Sequence, residues 1–297
     1  RQAWIKARPI NSESPAPARG FRVFGVSSLP LPLVRIGRAG LDSAMTMPDA
    51  YILCTSPRSG STLLCHLLRA VPGAGHPGSH FHEPSLDDWL DDYNLDRADY
   101  VTRQDALAAV VAAARRLGSG GGDLFALRLQ RHSFAFFIQQ LGHLYGPAPD
   151  DRSLIETAFG RTAFVHLTRQ DKLAQAISFV KAEQTGLWHR APDGREIERL
   201  APPRAPAYDA GAIAHTRDLF EDMDRDWEAW FAREGIAPLR LTYEALALDP
   251  HAELARVLGH IGLPSPPEGE PPLPVAKLAD ATSRDWTTRF LSEEIGG

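Results

Sequence analysis

The sequence predicts an α/β fold, a mostly parallel central sheet flanked by helices. Three observations carry that expectation. Two short, continuously apolar runs, "AYILCTS" and "TAFVHLT", read as buried strands. Each leads through a loop into a segment of helical periodicity. Strand and helix patterns then keep alternating, which places helices on both faces of a parallel sheet. In such sheets ligands bind beyond the carboxyl ends of the strands. Two chemically distinctive places lie there: the loop from Ser56 to Ser61, and Arg169.

The elements follow in order. After "AYILCTS", Leu63, Leu64, Leu67, Leu68 and Val71 recur at helical spacing until "PGAGHPG" breaks the pattern. Residues 85–100 are acidic and aromatic and read as mixed loop and helix. "QDALAAVVAAARRLG" is a helix that Gly118 and its glycine-rich neighbours end. "LFALRL" reads as a strand and "FAFFIQQLGHLY" as a helix. "TAFVHLT" enters a helix with Leu173, Ala176, Ile177 and Val180 on one face. "YDAGAIAHTRDLFEDMDRDWEAWF" is a long amphipathic helix, and "PLRLTYEAL" a further strand. A helix follows with Asp249 at its start, Pro250 at its first position and Gly262 near its end. The Pro-rich "PSPPEGEPPLP" is a loop, and "SRDWTTRFLSEE" is the last helix. There is no internal repeat.

A hydrophobic content of 43% and a charged content of 23% are those of a soluble globular chain. The net charge of −5 gives no reason to expect nucleic acid as a partner. Residues 1–44 hold seven Arg and Lys against Glu13 and Asp42, and the sequence does not begin with Met. They are read as a disordered or non-native N-terminal extension rather than a targeting segment. Residues 45–297 are read as one domain. No apolar run reaches the roughly 18 residues of a membrane span. Cys54 and Cys65 are the only cysteines, and both read as buried small residues. That scarcity points to a reducing, cytoplasmic setting.

"TSPRSGSTLL" has the layout of a phosphate loop. Backbone N–H groups at a helix N-terminus attract anionic oxygens, and Gly60 permits close approach. Ser59, Ser61 and Thr62 can add hydroxyls, and Arg58 a fork of donors suited to phosphate or sulfate. The Walker A pattern fails, because Thr55 stands where its first Gly belongs and Ser61 where its Lys belongs. A P-loop kinase or nucleotide hydrolase is thereby disfavoured. Downstream, Arg169 ends a strand and Ser178 follows nine residues later on the next helix. Both can face one ligand only if the connection bends around it. By themselves they form a weak pattern, read more readily as a surface Arg and a core Ser.

These segments, with "AGHPGSHF", "FVHLTRQDKLAQAISFVKAEQTGLW", "YDAGAIAH", "WEAWF" and "LADATSRDW", resemble the bacterial trehalose sulfotransferase family in order and spacing. The resemblance covers about residues 51–289. It implies a P-loop NTPase-like sulfotransferase fold. It also implies 3′-phosphoadenosine 5′-phosphosulfate as donor, with no metal. The acceptor is a hydroxyl of a carbohydrate, a glycolipid or lipopolysaccharide. On this resemblance Pro57, Arg58, Ser59, Gly60, Ser61 and Thr62 form the 5′-phosphosulfate loop. Arg169 and Ser178 bind the 3′-phosphate. Arg128 stands where the family usually has Lys, Thr282 and Ser283 close over the nucleotide, and Trp188 lines the acceptor cleft. A homodimer stays open as a partner state.

One position departs. Where the trehalose enzyme has a Glu, thought to activate the acceptor, this chain has Ser79. His80, Glu83 and His82 are the candidate bases. Imidazoles titrate near neutrality, and burial can raise a carboxyl into that range. A metal held by His80, His82 and Glu83 is disfavoured, since the two His would point to opposite sides of an extended strand. The missing Glu keeps a catalytically impaired, nucleotide-binding protein open as the alternative. Trp89, Trp188 and Trp286 are candidates for stacking on sugar, though Trp is as often core.

Overall fold

The computed structural model describes residues 47–265 and 279–296. The extension expected over 1–44, and the Pro-rich loop from residue 266, lie outside the described residues.

The central sheet has four strands: β1 (Ala50–Thr55), β2 (Phe125–Gln130), β3 (Thr162–Thr168) and β6 (Leu239–Thr242). Their order is β2-β1-β3-β6 and every pairing is parallel. Thr55 sits opposite Gln130 on one side and Leu167 on the other, so the strands end almost level. All of β1 is buried. Ala50, Ile52 and Cys54 point into one core and Tyr51 and Leu53 into the other, the alternation a pleated strand imposes. This is the expected α/β architecture, a parallel sheet with helices on both faces and a phosphate-loop turn after its first strand.

On one face lie α2 (Leu86–Asp92), α3 (Arg103–Gly118), α4 (Arg131–Tyr145), α5 (Asp151–Phe159) and α7 (Ala210–Arg233). They supply Trp89, Phe137, Phe159, Trp227 and Trp230 to the larger core. On the other face α1 (Ser61–Arg69), α8 (Tyr243–Leu248) and α9 (Pro250–His260) pack Leu64, Leu68, Leu246, Leu254 and Val257. Helix α6 (Lys172–Thr185) follows β3 and packs against α7 and α10 (Ala281–Gly296). Between α6 and α7 stands an antiparallel hairpin of β4 (Leu187–Arg190) and β5 (Glu196–Arg199). Among the described residues, no helix is long and apolar enough to cross a membrane. Cys54 and Cys65 are both free and buried, as expected.

Three elements differ from expectation. "PLRLTYEAL" is a strand only to Thr242. That residue's hydroxyl caps α8 by accepting from the Ala245 N–H at 3.2 Å, so the chain turns helical. Helix α5, which the sequence reading passed over, starts at a similar Asp150 cap. "RQDKLAQAISFVKAEQTGLW" reads as one helix to Trp188, but "LWHR" is not its continuation. It is instead the first strand of the hairpin, because Gly186 ends α6 in the left-handed region at φ 71°. A Cβ there would come within 2.5 Å of the Ala201 carbonyl.

Candidate functional site

The site gathers at the carboxyl ends of the strands, around a cavity of about 1540 Å³. The loop after β1 is held from below. Trp227 Nε1 donates to the Thr55 carbonyl at 3.0 Å. Gln175 of α6, fully buried, donates to Ser56 Oγ at 3.0 Å and to the Pro57 carbonyl at 2.6 Å. Ser59 is also fully buried, and its hydroxyl bonds Thr55 Oγ1, which bonds the Leu167 carbonyl at 3.1 Å. The hydroxyl of Ser59 therefore supports the loop from inside, a correction to the reading that offered it to a ligand. Pro57, Arg58, Gly60, Ser61 and Thr62 line the cavity.

The loop is sharply bent. Arg58 has φ 61° and Gly60 φ 87°, both left-handed. At Gly60 only glycine suits, since a Cβ would stand 2.6 Å from Tyr243 Cδ2. No side chain caps α1, so its first-turn N–H groups face the cavity end of the loop with the positive end of the helix dipole.

Three arginines surround this turn. Arg58 Nε donates to Ser178 Oγ at 3.0 Å, and its Nη1 to the Trp188 carbonyl at 2.7 Å. Arg169 Nη1 reaches the Arg58 carbonyl at 3.5 Å, and its guanidinium lies 4.5 Å from the Tyr243 ring centroid. The structure thus brings Arg58, Arg169 and Ser178 into one cluster, the bend that the sequence reading required. Arg169 is placed by its surroundings. Lys172 Nζ donates to its carbonyl at 2.5 Å, and Asp171 caps α6. Burial, then the charge of Arg169, lowers Arg58 to about 10. Burial also lowers Arg169. Among the described residues neither is ion-paired to a carboxylate, and Arg169 Nε is buried without a partner. Two such cations side by side favour an anion between them.

Arg128, on β2, faces the same space. Its Nη1 donates to Thr62 Oγ1 at 3.0 Å and its Nε to Ser79 Oγ at 2.9 Å. It ties the loop to the segment where the expected Glu is missing. Thr282 and Ser283 of α10 also line the cavity, and Lys181 of α6 donates to Ser283 Oγ at 2.8 Å.

The candidate bases fare differently. His80 and His82 both line the cavity, because the chain turns at His80 and Phe81 instead of running extended. Phe81 between them goes into the core. The expectation that the two imidazoles diverge is therefore overturned. Burial pushes His80 down to about 4 and His82, with His132 beside it, to about 3. His82 Nε2 is 3.8 Å from Glu83 Oε1, and Glu83 is not part of the cavity wall. Of the three Trp, only Trp188 faces the cavity, whereas Trp89 and Trp286 are 1% and 4% exposed core residues.

Two site residues escaped the sequence reading. His189 Nε2 lies 3.1 Å from Thr62 Oγ1 and 3.4 Å from Glu198 Oε2. Both residues line the cavity from the hairpin. "LWHR" and "EIER" are short and polar, and nothing in their spacing marks them as facing strands. The one available signal was "TG", an αL helix stop followed by a new element.

A family model described as Stf0 sulphotransferase matches residues 50–293. The chain is 31% identical over 260 residues to trehalose 2-sulfotransferase of Mycobacterium tuberculosis (strain Erdman), covering 82% of this chain and 94% of that relative. It is 28% identical over 264 residues to trehalose 2-sulfotransferase of Mycolicibacterium smegmatis, again over 82% and 94%. A sulfotransferase structure from Alicyclobacillus acidocaldarius aligns over 84% of this chain and 94% of its own, at 14% identity and a TM-score of 0.41, too loosely to add to this.

Proposed function

This chain belongs to the Stf0 sulphotransferase family, and on that premise we propose that it moves a sulfuryl group from 3′-phosphoadenosine 5′-phosphosulfate to a carbohydrate hydroxyl. Sulfotransferase activity follows from the family; the donor and the acceptor are the proposal. The observation that carries the donor is the joined cluster of Arg58, Arg169 and Ser178 against the bent loop. A donor with anionic groups at both the 3′ and 5′ positions suits it, since the cavity wall carries nine Arg and Lys against four Asp and Glu. The whole chain, by contrast, has net charge −5.

In this reading Arg169 and Ser178 hold the 3′-phosphate. Pro57 to Thr62 cradle the phosphosulfate, and Thr282 and Ser283 close the nucleotide side. The acceptor oxygen attacks sulfur, forming the new S–O bond. The old S–O bond breaks, and its electron pair leaves with the 5′-phosphate of adenosine 3′,5′-bisphosphate. Negative charge on the bridging and equatorial oxygens is met by Arg58, Arg128 and the α1 N–H groups. Trehalose is the first acceptor to test, with the sugar heads of glycolipids and lipopolysaccharide next. Two free buried cysteines accord with a cytoplasmic setting.

Ser79 bonded to Arg128, in the place expected for the base, favours one second reading: a member that binds the donor and transfers nothing. Calorimetry and a labelled-donor assay separate them. Tight binding of adenosine 3′,5′-bisphosphate with weak binding of adenosine 5′-phosphate supports the donor assignment, and equal binding overturns it. Label passing to trehalose or an envelope glycan excludes the inactive reading.

A further inference from the structure

Glu198 is one of four carboxylates on a cavity wall that carries nine Arg and Lys. Its side chain is 11% exposed and lines the wall. Among the described residues, its only neighbour at ion-pair distance is His189, at 3.4 Å. Burial, then Arg58, Arg128 and His66, hold the imidazole well below its ordinary range. His189 is thus neutral near pH 7, and the contact is the close approach of a neutral ring to a carboxylate rather than an ion pair. That is a weak reason to bury an acid. Nor does the hairpin need it, being fixed by backbone pairing and by the Leu200 N–H donating to the Gly186 carbonyl at 2.8 Å.

The connection leads to the sulfuryl end of the site. Thr62 Oγ1 accepts from Arg128 Nη1 at 3.0 Å and lies 3.1 Å from His189 Nε2. With the proton on Nε2, His189 donates to Thr62 and turns the same ring edge toward Glu198, 3.4 Å away. The Thr62 hydroxyl, already accepting twice, then turns its own hydrogen to the ligand. Glu198 stands one imidazole away from the loop that cradles the phosphosulfate. The candidates around Ser79 are worse placed. Ser79 is taken by Arg128, Glu83 is off the wall, and the ring of His80 packs beside Tyr93 and Phe125.

We propose that Glu198 of β5 is the general base for the acceptor hydroxyl, with His189 as the positioning residue that aims it. The inference rests on the sulfotransferase reading above. The acceptor O–H proton passes to the Glu198 carboxylate as the O–S bond forms, and water removes it after product release. The carboxyl is suited to this because burial raises it above the ordinary range, against the opposing pull of Arg128 and Arg58. A deprotonated base is needed, so kcat falls as pH drops through that raised value.

The test compares wild type, Glu198→Gln, Glu198→Asp and His189→Asn, using labelled donor, trehalose as acceptor and calorimetry with adenosine 3′,5′-bisphosphate. Glu198→Gln is expected to lose about 100-fold or more in kcat, to keep bisphosphate affinity within a few-fold, and to show no acid limb in what activity remains. Glu198→Asp should restore part of kcat together with the limb. His189→Asn should move the limb to higher pH, because the carboxylate loses the polar imidazole edge 3.4 Å away. Glu198→Gln with wild-type kcat, or with the acid limb intact, overturns the role of Glu198 and leaves the sulfotransferase reading standing. Wild type that binds no bisphosphate overturns both.

Discussion

Arg58 reaches Ser178 across 120 residues of chain, its Nε donating to the hydroxyl at 3.0 Å. The same guanidinium holds the Trp188 carbonyl at 2.7 Å. One side chain therefore ties the loop after β1 to α6 and to the hairpin. Lysine keeps the charge but has no planar fork with which to serve both partners. Arg58→Lys is expected to weaken adenosine 3′,5′-bisphosphate by about 10- to 100-fold, roughly 1.4–2.8 kcal/mol. Calorimetry measures it; unchanged affinity would leave Arg58 a structural tie only.

Gly60 is the tightest point of the loop. Gly60→Ala must hold φ 87° and place a methyl 2.6 Å from Tyr243 Cδ2. The left-handed conformation alone costs about 1–2 kcal/mol with a Cβ present. Tyr243 must also move, and with it the support under Arg169. A lowered Tm in thermal denaturation, with weaker bisphosphate binding, is expected. Adding Tyr243→Ala should recover only part of the stability, because the backbone strain remains.

Arg128 donates to both Thr62 and Ser79, and in the proposed mechanism it meets the charge that develops in transfer. Arg128→Ala is expected to cut kcat by about 100-fold, with a smaller change in donor affinity, as for a group that acts mainly on the transition state. Steady-state kinetics with varied donor reads the split. A loss confined to KM would assign Arg128 to ground-state binding.

Acid should destabilise the fold through the buried imidazoles. His80 and His132 are lowered to about 4, and His82 to about 3, from an ordinary 6.5, with burial the main cause in each. The unfolded chain then binds more protons than the folded one between those values and 6.5. Stability from these groups is complete above about pH 6.5 and is lost as pH falls towards 4, by about 1.4 kcal/mol per pH unit per group at most. Urea denaturation at pH 7 and pH 5 should show the drop. His132→Gln should shrink it, and an equal slope in that variant would refute this origin.

The bent loop after β1 was legible because its signals are local. An apolar strand, a Gly at a helix start and an Arg among hydroxyls all fall within "YILCTSPRSGSTLL". The aromatic reading was not legible in the same way. Trp89, Trp188 and Trp286 are alike as letters, and only the packing of α2 and α10 puts two of them in the core. Ser59 also reads like its neighbours, yet Thr55 draws its hydroxyl inward.

The alternation of strands and helices, the bent loop and the absence of a Walker lysine were determined by the sequence alone. Each depends on residues close together in the chain, where periodicity and backbone preference act. The meeting of Arg58 with Ser178, the tie from Arg128 to Ser79, and the placing of His189 beside Thr62 were decided only by the tertiary structure. Those contacts join segments separated by 49 to 127 residues. Their geometry comes from parallel strands ending level and from a hairpin folded back over them, which no local pattern encodes.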